Sequence, residues 1–103
     1  MLVLNRKPNQ QIVLRCDGDE TFVIFSRCVG HAAYFGISGT GDIREVEASV
    51  GETFIVRVGS ESVGVKITQR FKNQVRVGFT ASDNVKIDRR EVYDKKKREG
   101  SIV

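Results

Sequence analysis

Hydrophobic and polar residues alternate along most of this chain in short runs. The period of two is clearest at Val63, Val65 and Ile67, each separated from the next by one polar or glycine position. Such alternation predicts antiparallel strands with one buried and one solvated face, and Gly, Asn and Asp mark the turns between them. The predicted strands cover approximately residues 1–6, 10–15, 21–28, 32–38, 43–48, 52–58, 63–70, 73–80 and 84–89.

The pattern changes near the C-terminus, where it predicts a single helix. From Arg90, the stretch REVYDKKKREG contains good helix formers, ends at Gly100 and places Lys and Arg in its last turns. Val92 is expected to face inward, with Tyr93 as a second candidate, and the final SIV is expected to be loose. The apolar TFVIF at 21–25 is expected to be covered on both faces. The chain is therefore predicted to be mainly β with one C-terminal helix.

Length and composition fit a single small domain. The chain has 103 residues, of which 40% are hydrophobic and 29% are charged, as in ordinary globular proteins. Its longest apolar runs are far shorter than the roughly 20 residues of a membrane helix. The opening MLVLNRK has too short an apolar stretch for a signal peptide. We therefore expect a cytoplasmic protein with no membrane partner.

Side chains for catalysis or metal binding are sparse. Cys16 and Cys28 lie twelve positions apart without a CxxC spacing, so two reduced, buried cysteines are expected. With His31 they provide only three ligands, one fewer than a structural zinc site requires. The glycines of GISGTGD (36–42) lack the Lys-Ser/Thr of a phosphate loop. We expect neither an enzyme nor a bound metal or cofactor.

Positive charge is concentrated in the second half of the chain. Residues 1–49 carry five basic and six acidic side chains, a balance of −1, whereas residues 50–103 carry twelve and seven, a balance of +5. Such a surplus suits either an anionic partner or a merely solvated basic face. Strand arginines can bind phosphate or a guanine edge with two hydrogen bonds. Exposed aromatic side chains for stacking single-stranded bases are lacking.

The two halves of the chain resemble each other. A shift of 42 residues aligns them from about Lys7 to Glu91 without a gap, and pairs Arg15 with Arg57 and Gly36 with Gly78. Identities are few, and shared strand periodicity contributes some of the agreement. The gapless offset across two turns favours a diverged tandem duplication. The repeats are approximately 1–49, which is degenerate, and 43–95, which is better preserved.

Three segments resemble the carbon storage regulator (CsrA/RsmE) family of translational regulators. They are MLVLNRK at 1–7, VGETFIV at 50–56 and KNQVRVGFTASDNVKIDRREVYDK at 72–95, and they occur in the family's order. The resemblance implies interleaved antiparallel sheets in a small barrel or sandwich, with five strands and one helix per unit. It also implies binding of mRNA at GGA motifs in hairpin loops, and a protein or small-RNA antagonist as a further partner.

Family members are homodimers that build each RNA site from the first strand of one subunit and the fifth strand of the other. Here residues 43–49 fall on both of these strands, so we expect one domain that is a monomeric pseudo-dimer, with a homodimer as the alternative. The surviving composite site is expected to include Leu4, Asn5, Arg6, Lys7, Ala81, Val85, Ile87, Asp88, Arg89 and Arg90. The 42-residue shift places Glu47 at the position of Arg89, and Ala48 replaces the equivalent of Arg6, so the second site is expected to be lost.

Two other functions remain open from the sequence. The acidic, divergent first half favours a protein-interaction module that retains the fold without specific RNA binding. A non-specific basic β-barrel would bind any RNA, with a steep salt dependence. Departures from the family pattern also occur at Asn5, Ser82 and Asp88, where Asp88 adds a negative charge beside Arg89.

Overall fold

Nine strands and one helix make up the computed structural model, which describes residues 1–39 and 42–100. Residues 40 and 41 of the glycine-rich segment, and the terminal SIV, fall outside these ranges. The elements are β1 (Leu2–Arg6), β2 (Gln11–Cys16), β3 (Asp19–Val29), β4 (Ala32–Gly39), β5 (Asp42–Ser49), β6 (Thr53–Val58), β7 (Glu61–Phe71), β8 (Gln74–Thr80), β9 (Lys86–Arg89) and α1 (Arg90–Arg98).

The strands form two antiparallel sheets that exchange their outermost strands. One sheet, here called sheet A, has the order β1-β8-β7-β6, and the other, sheet B, has the order β5-β4-β3-β2-β9. The first strand therefore completes a sheet built from the second half of the chain, and the last strand completes a sheet built from the first half. The predicted mainly β, interleaved fold with a C-terminal helix is confirmed.

Strand boundaries repeat along the chain with the spacing seen in the sequence. β2 and β6 begin at residues 11 and 53, and β3 and β7 begin at residues 19 and 61. The long strands also share one irregularity: the register shifts between Phe25 and Arg27 in β3, and between Ile67 and Gln69 in β7. A bulge bends and twists its strand. The two three-stranded meanders, β2–β3–β4 and β6–β7–β8, therefore curve at equivalent places.

The hydrophobic core lies between the sheets and is contributed by alternate positions of their strands. β6 shows the pattern most simply, because Phe54, Val56 and Val58 are buried while the three residues between them are exposed. The rings of Phe25, Phe35 and Phe54 pack in series, with centroids 5.6 and 5.3 Å apart. Full burial of each such side chain contributes roughly 1.5–3 kcal/mol.

Helix α1 covers part of the outer face of sheet B. Tyr93 is its buried residue, at 2% exposure, whereas Val92 is 36% exposed, so the expectation that Val92 faces inward is wrong. The Tyr93 ring meets the Phe22 ring edge-on at 6.2 Å, and its hydroxyl donates to Glu20. An aromatic ring with a polar tip fits this half-open position better than valine does. Within TFVIF, Phe22 is the outward residue whose ring packs against the helix, and it stays half-buried.

No helix in the described residues is long and apolar enough to span a membrane.

The two sheets meet along β5. This strand pairs with β4 over its full length, from Ala32↔Ser49 to Gly39↔Asp42. On its other side it contacts β6 through side chains: Asp42 Oδ2 accepts from the Arg57 N–H at 3.1 Å, and Arg44 donates to the Ile55 carbonyl. A single strand therefore closes this side of the molecule.

Gly39 lies directly opposite Thr21 in the β3–β4 pair of sheet B. Thr21 is buried, and its Oγ1 donates to the Arg57 carbonyl at 2.8 Å, which joins sheet B to sheet A. A Cβ at position 39 would lie 2.4 Å from Thr21 Oγ1 and 2.8 Å from its Cα. We expect Gly39→Ala to lower the free energy of unfolding by about 1–3 kcal/mol, measured by urea denaturation.

Gly36 is the matched control, because it lies in the same strand and a Cβ there would meet no atom within 4 Å. Gly36→Ala should change stability by no more than about 0.5–1 kcal/mol, and in the stabilising direction, because Ala restricts the unfolded chain more than Gly. Equal destabilisation by the two substitutions would show that Thr21 is not tightly enclosed.

Candidate nucleic-acid interface

The two terminal strands leave a groove between the sheets on the side opposite β5. β1 pairs only with β8, and β9 pairs only with β2, so each has one backbone edge without a strand partner in the described residues. A groove of about 460 Å³ lies beside them, and Met1 and Leu2 line it together with residues of the β8–β9 connection and of β9. Free strand edges present alternating N–H and C=O groups, which are also the groups that read base edges.

The floor of this groove is apolar. Leu4 of β1 and Ile87 of β9 are partly buried and pack against the core, as does Ala81, while Val85 is buried. These four predicted site residues are therefore fixed by packing. Their side chains hold the backbone edges in place, and the groups left for a ligand are largely main-chain atoms.

Arg6 occupies an unusual position for an arginine, because its side chain is only 3% exposed. Its Nη1 and Nη2 each donate to one carboxylate oxygen of Glu91, both at 3.1 Å. Nη1 also donates to the Gln11 carbonyl at 3.1 Å, and Nε donates to the Asn5 carbonyl at 2.8 Å. A buried charge requires such partners. This side chain therefore fastens the end of β1 to the first turn of α1.

The charge of Glu91 is stabilised by this arrangement. The hydrogen bonds from Arg6 lower the pKa of the Glu91 carboxyl below its ordinary value, with a hydrogen bond to its own backbone N–H and the nearby charges of Arg6 and Arg89 acting in the same direction. Opposite charges and donated hydrogen bonds favour the ionised form. Arg6, Arg89 and Glu91 thus form one electrostatic group at an end of the groove.

Arg89 is the exposed member of that group. It is the last residue of β9 and pairs with Ile12 of β2. Its side chain makes no hydrogen bond or ion pair with residues 1–39 or 42–100. Lys7, just beyond β1, is also exposed. These two cations are the predicted site residues with charges open to a ligand.

Asp88 is neutralised rather than free. Its carboxylate is 12% exposed and receives hydrogen bonds from Arg15 at 3.1 Å and from Lys96 at 2.9 Å. The side chain alternates with that of Arg89 along β9 and lies on the helix-covered side of sheet B. The negative charge that the sequence places beside Arg89 is therefore compensated within the fold.

Two further predicted residues point away from the groove. Arg90 lies over the Phe22 ring at 4.9 Å and donates to Gln11 Oε1 and Asp94 Oδ1, so it anchors the helix to sheet B. Asn5 lies on the outer face of sheet A, where its Oδ1 accepts from Arg76 Nε at 3.1 Å. Sequence reasoning grouped these residues with the groove because it could not assign the alternating faces of the terminal strands.

Glu91 contributes to the site but is not among the residues that the sequence predicts there. Glu91 was interpreted only as part of a helix entry, and its pairing with a residue 85 positions away requires the tertiary structure. The contact of Arg76 with Asn5 on the outer face likewise requires the tertiary structure, because the two residues are 71 positions apart. The cysteines are both unpaired; Cys16 is buried, as expected, and burial raises its pKa, whereas Cys28 is only half-buried. No described group of His, Cys, Asp and Glu is arranged to hold a metal ion.

Comparison with protein families adds the decisive observation. A model of CsrA, described as a global regulator protein family, matches residues 49–98. This segment, just under half of the chain, is similar to the CsrA family. CsrA proteins are regulators that generally bind RNA and are not enzymes. The matched segment includes β6 to β9 and α1. It therefore contains the β9 edge of the groove but not the β1 edge. No curated protein and no solved structure matches the chain significantly.

The pairing of Arg6 with Glu91 makes stability depend on pH in a defined direction. Glu91→Gln should lower the free energy of unfolding at pH 7 by roughly 1 kcal/mol, a modest value because the Glu91 side chain is half-exposed. The pKa of Glu91 is lowered in the folded state, so its contribution is complete above the ordinary value of 4.5 and is lost as pH falls through the folded value.

Urea denaturation of wild type and Glu91→Gln at several pH values between 7 and about 3 measures this effect. The difference between the two proteins should shrink towards acid pH. A difference that stays constant over this range would contradict the ion pair.

Proposed function

We propose that this chain is a post-transcriptional regulator that binds GGA-containing hairpin loops of mRNA leaders at one composite site. The observation that carries the proposal is the groove lined by Leu2 of β1 and Ile87 of β9, strands that each have an unpaired edge. Arg89 is exposed at the C-terminal end of β9, near the Arg6–Glu91 pair. Sequence-specific RNA recognition commonly targets loops whose bases are splayed out and read along their edges.

The backbone edges and the cations of the groove have different roles in RNA recognition. The backbone edges of β1 and β9 supply donors and acceptors for the bases, while Arg89 and Lys7 supply charge for phosphate oxygens. Arg6 is committed to Glu91 and to backbone carbonyls, so we assign it a positioning role: it fixes the distance between the two edges. This assignment replaces the direct RNA contact expected from the sequence.

We also infer that the chain is a fused pair of family units, 1–49 and 43–95, that share residues 43–49. The equal spacing of strands and bulges in the two meanders supports this inference. In such a pair, β5 serves as the first strand of one unit and the last strand of the other. On this side of the molecule, β5 alone occupies the place that β1 and β9 occupy on the opposite side, where a groove lies between them.

The composition of β5 supports the loss of a second RNA site. Glu47, at the position equivalent to Arg89, is exposed, and Ala48, at the position equivalent to Arg6, is buried at 4% exposure. A carboxylate repels phosphate, and alanine makes no ion pair. The chain would therefore hold a single RNA.

A protein adaptor is the second candidate, and one observation favours it. On β5, Ile43 is 82% exposed, and Glu45 and Glu47 beside it are also exposed. An apolar side chain with acidic neighbours suits a protein partner better than RNA. RNA binding distinguishes the candidates, because an adaptor without RNA recognition would not discriminate between loop sequences.

Arg89→Ala is the direct test of the groove. Loss of this cation should weaken binding of a GGA-loop hairpin by about 1–3 kcal/mol, measured by gel shift or fluorescence anisotropy. Glu47→Ala is the matched control on β5 and should change affinity little. A hairpin with CCA in place of GGA provides the loop-sequence control.

Equal affinity of wild type and Arg89→Ala for the GGA hairpin would remove Arg89 from the site. Equal and weak binding of the GGA and CCA hairpins by wild type would favour the adaptor. Strong binding of both hairpins with a steep salt dependence would indicate a non-specific basic barrel.

A further inference from the structure

The outer faces of the two sheets differ in what covers them. Helix α1 lies on sheet B, where Tyr93 packs against Phe22 and Arg90 donates to Gln11. No described helix lies on sheet A. Its outward residues Arg57 and Lys66 are exposed, whereas Gly78 is covered by the Met1 side chain. We call these outward residues of β1, β8, β7 and β6 the bare face.

Equivalent positions show that the bare face is not adapted to receive a helix. Phe22, whose ring contacts Tyr93, corresponds to Gly64 in the 42-residue repeat, which offers no ring to a helix. Val13 is fully buried beneath α1, whereas its equivalent Ile55 is 52% exposed. The interaction that fixes α1 on sheet B therefore has no counterpart on sheet A.

The bare face carries basic side chains beside the exposed apolar Val3 and Ile55. Arg57, Lys66 and Arg76 occupy outward positions on three adjacent strands, and none of the outward positions of the four strands is acidic. Asp42, at the rim, is already hydrogen-bonded to Arg44 Nε at 2.9 Å and to the Arg57 N–H at 3.1 Å. The half-buried Phe71 ring lies beneath Arg76, 5.4 Å from its guanidinium carbon. Positive charge on a shallow surface without a fully exposed aromatic ring suits phosphates rather than stacked bases.

This face is continuous with the groove. β1 borders the groove with its free edge and borders the bare face with its outward residues, and Asn5 accepts a hydrogen bond from Arg76 across the β1–β8 pair. A ligand that occupies the groove and crosses β1 arrives directly at Arg76, and then at Lys66 on β7. The groove, which suits the bases of an RNA, is therefore continuous with a face that suits its sugar–phosphate backbone.

We propose that the bare face binds the sugar–phosphate backbone of the hairpin stem while the groove holds the loop. Duplex RNA is bound mostly through its shape and its phosphates, which requires basic side chains but no base-specific contacts. This inference rests on the proposed RNA-binding function and adds a second contact surface to it. Arg57 and Lys66 are its principal residues.

The test compares Arg57→Gln/Lys66→Gln with a control of equal charge, Lys95→Gln/Arg98→Gln, which lies on α1 at the other sheet. Binding of GGA hairpins with a short and a long stem is measured over a range of salt concentrations. For the long stem, the slope of log affinity against log salt should fall by about 1.4–1.8 in the bare-face variant. The control should lose less, and the ratio of GGA to CCA affinity should persist in both.

An unchanged slope, or equal losses in the bare-face and control variants, would overturn the inference and leave this face to an acidic protein or to solvent. That outcome is distinct from failure of the proposed function, in which wild type itself does not prefer GGA over CCA. In that case the proposed binding of the hairpin stem to the bare face is contradicted as well. A loss equal for short and long stems would assign the contact to the loop and also contradict the proposal.

Discussion

The exchange of terminal strands between the sheets is the constraint on which the rest of the structure depends. β1 pairs with β8 and β9 pairs with β2, so neither half of the chain completes a sheet alone. These pairings place two free edges side by side and create the groove. The Arg6–Glu91 ion pair fastens the same two ends together, joining a residue of the first strand to the first turn of the helix that follows the last strand.

Charge divides the molecule along the same axis. The groove side carries exposed Arg89 and Lys7, while Asp88 is neutralised by Arg15 and Lys96 on the helix-covered side of sheet B. The opposite side, closed by β5, presents Glu45 and Glu47. Because association with RNA depends strongly on phosphate contacts, this division favours a single RNA orientation. The bare face carries positive charge from the groove across sheet A to Arg57 of β6, the strand that borders β5.

Much of the fold was predictable from the sequence, because strand periodicity is local. Alternation at Val63, Val65 and Ile67 indicated buried positions that the structure confirms, and the helix entry at Arg90 was also correct. Contacts between residues far apart in the chain could not be predicted from this local pattern. Val92 and Tyr93 are adjacent in a short helix, so one position decides which faces the sheet. The sequence pattern predicts a surface position for Arg6. Its side chain is instead buried, because it donates to the nearby carbonyls of Asn5 and Gln11 and pairs with Glu91, 85 positions away.

The central claim is that one chain contains a complete family pair and one RNA site. Light scattering of the chain alone, and then of the chain with an RNA carrying two GGA hairpins, measures both quantities. The expected mass is near 11.5 kDa for the chain alone, and two chains are expected to bind the two-hairpin RNA. A stable dimer without RNA, or one chain that holds both hairpins, would contradict the claim.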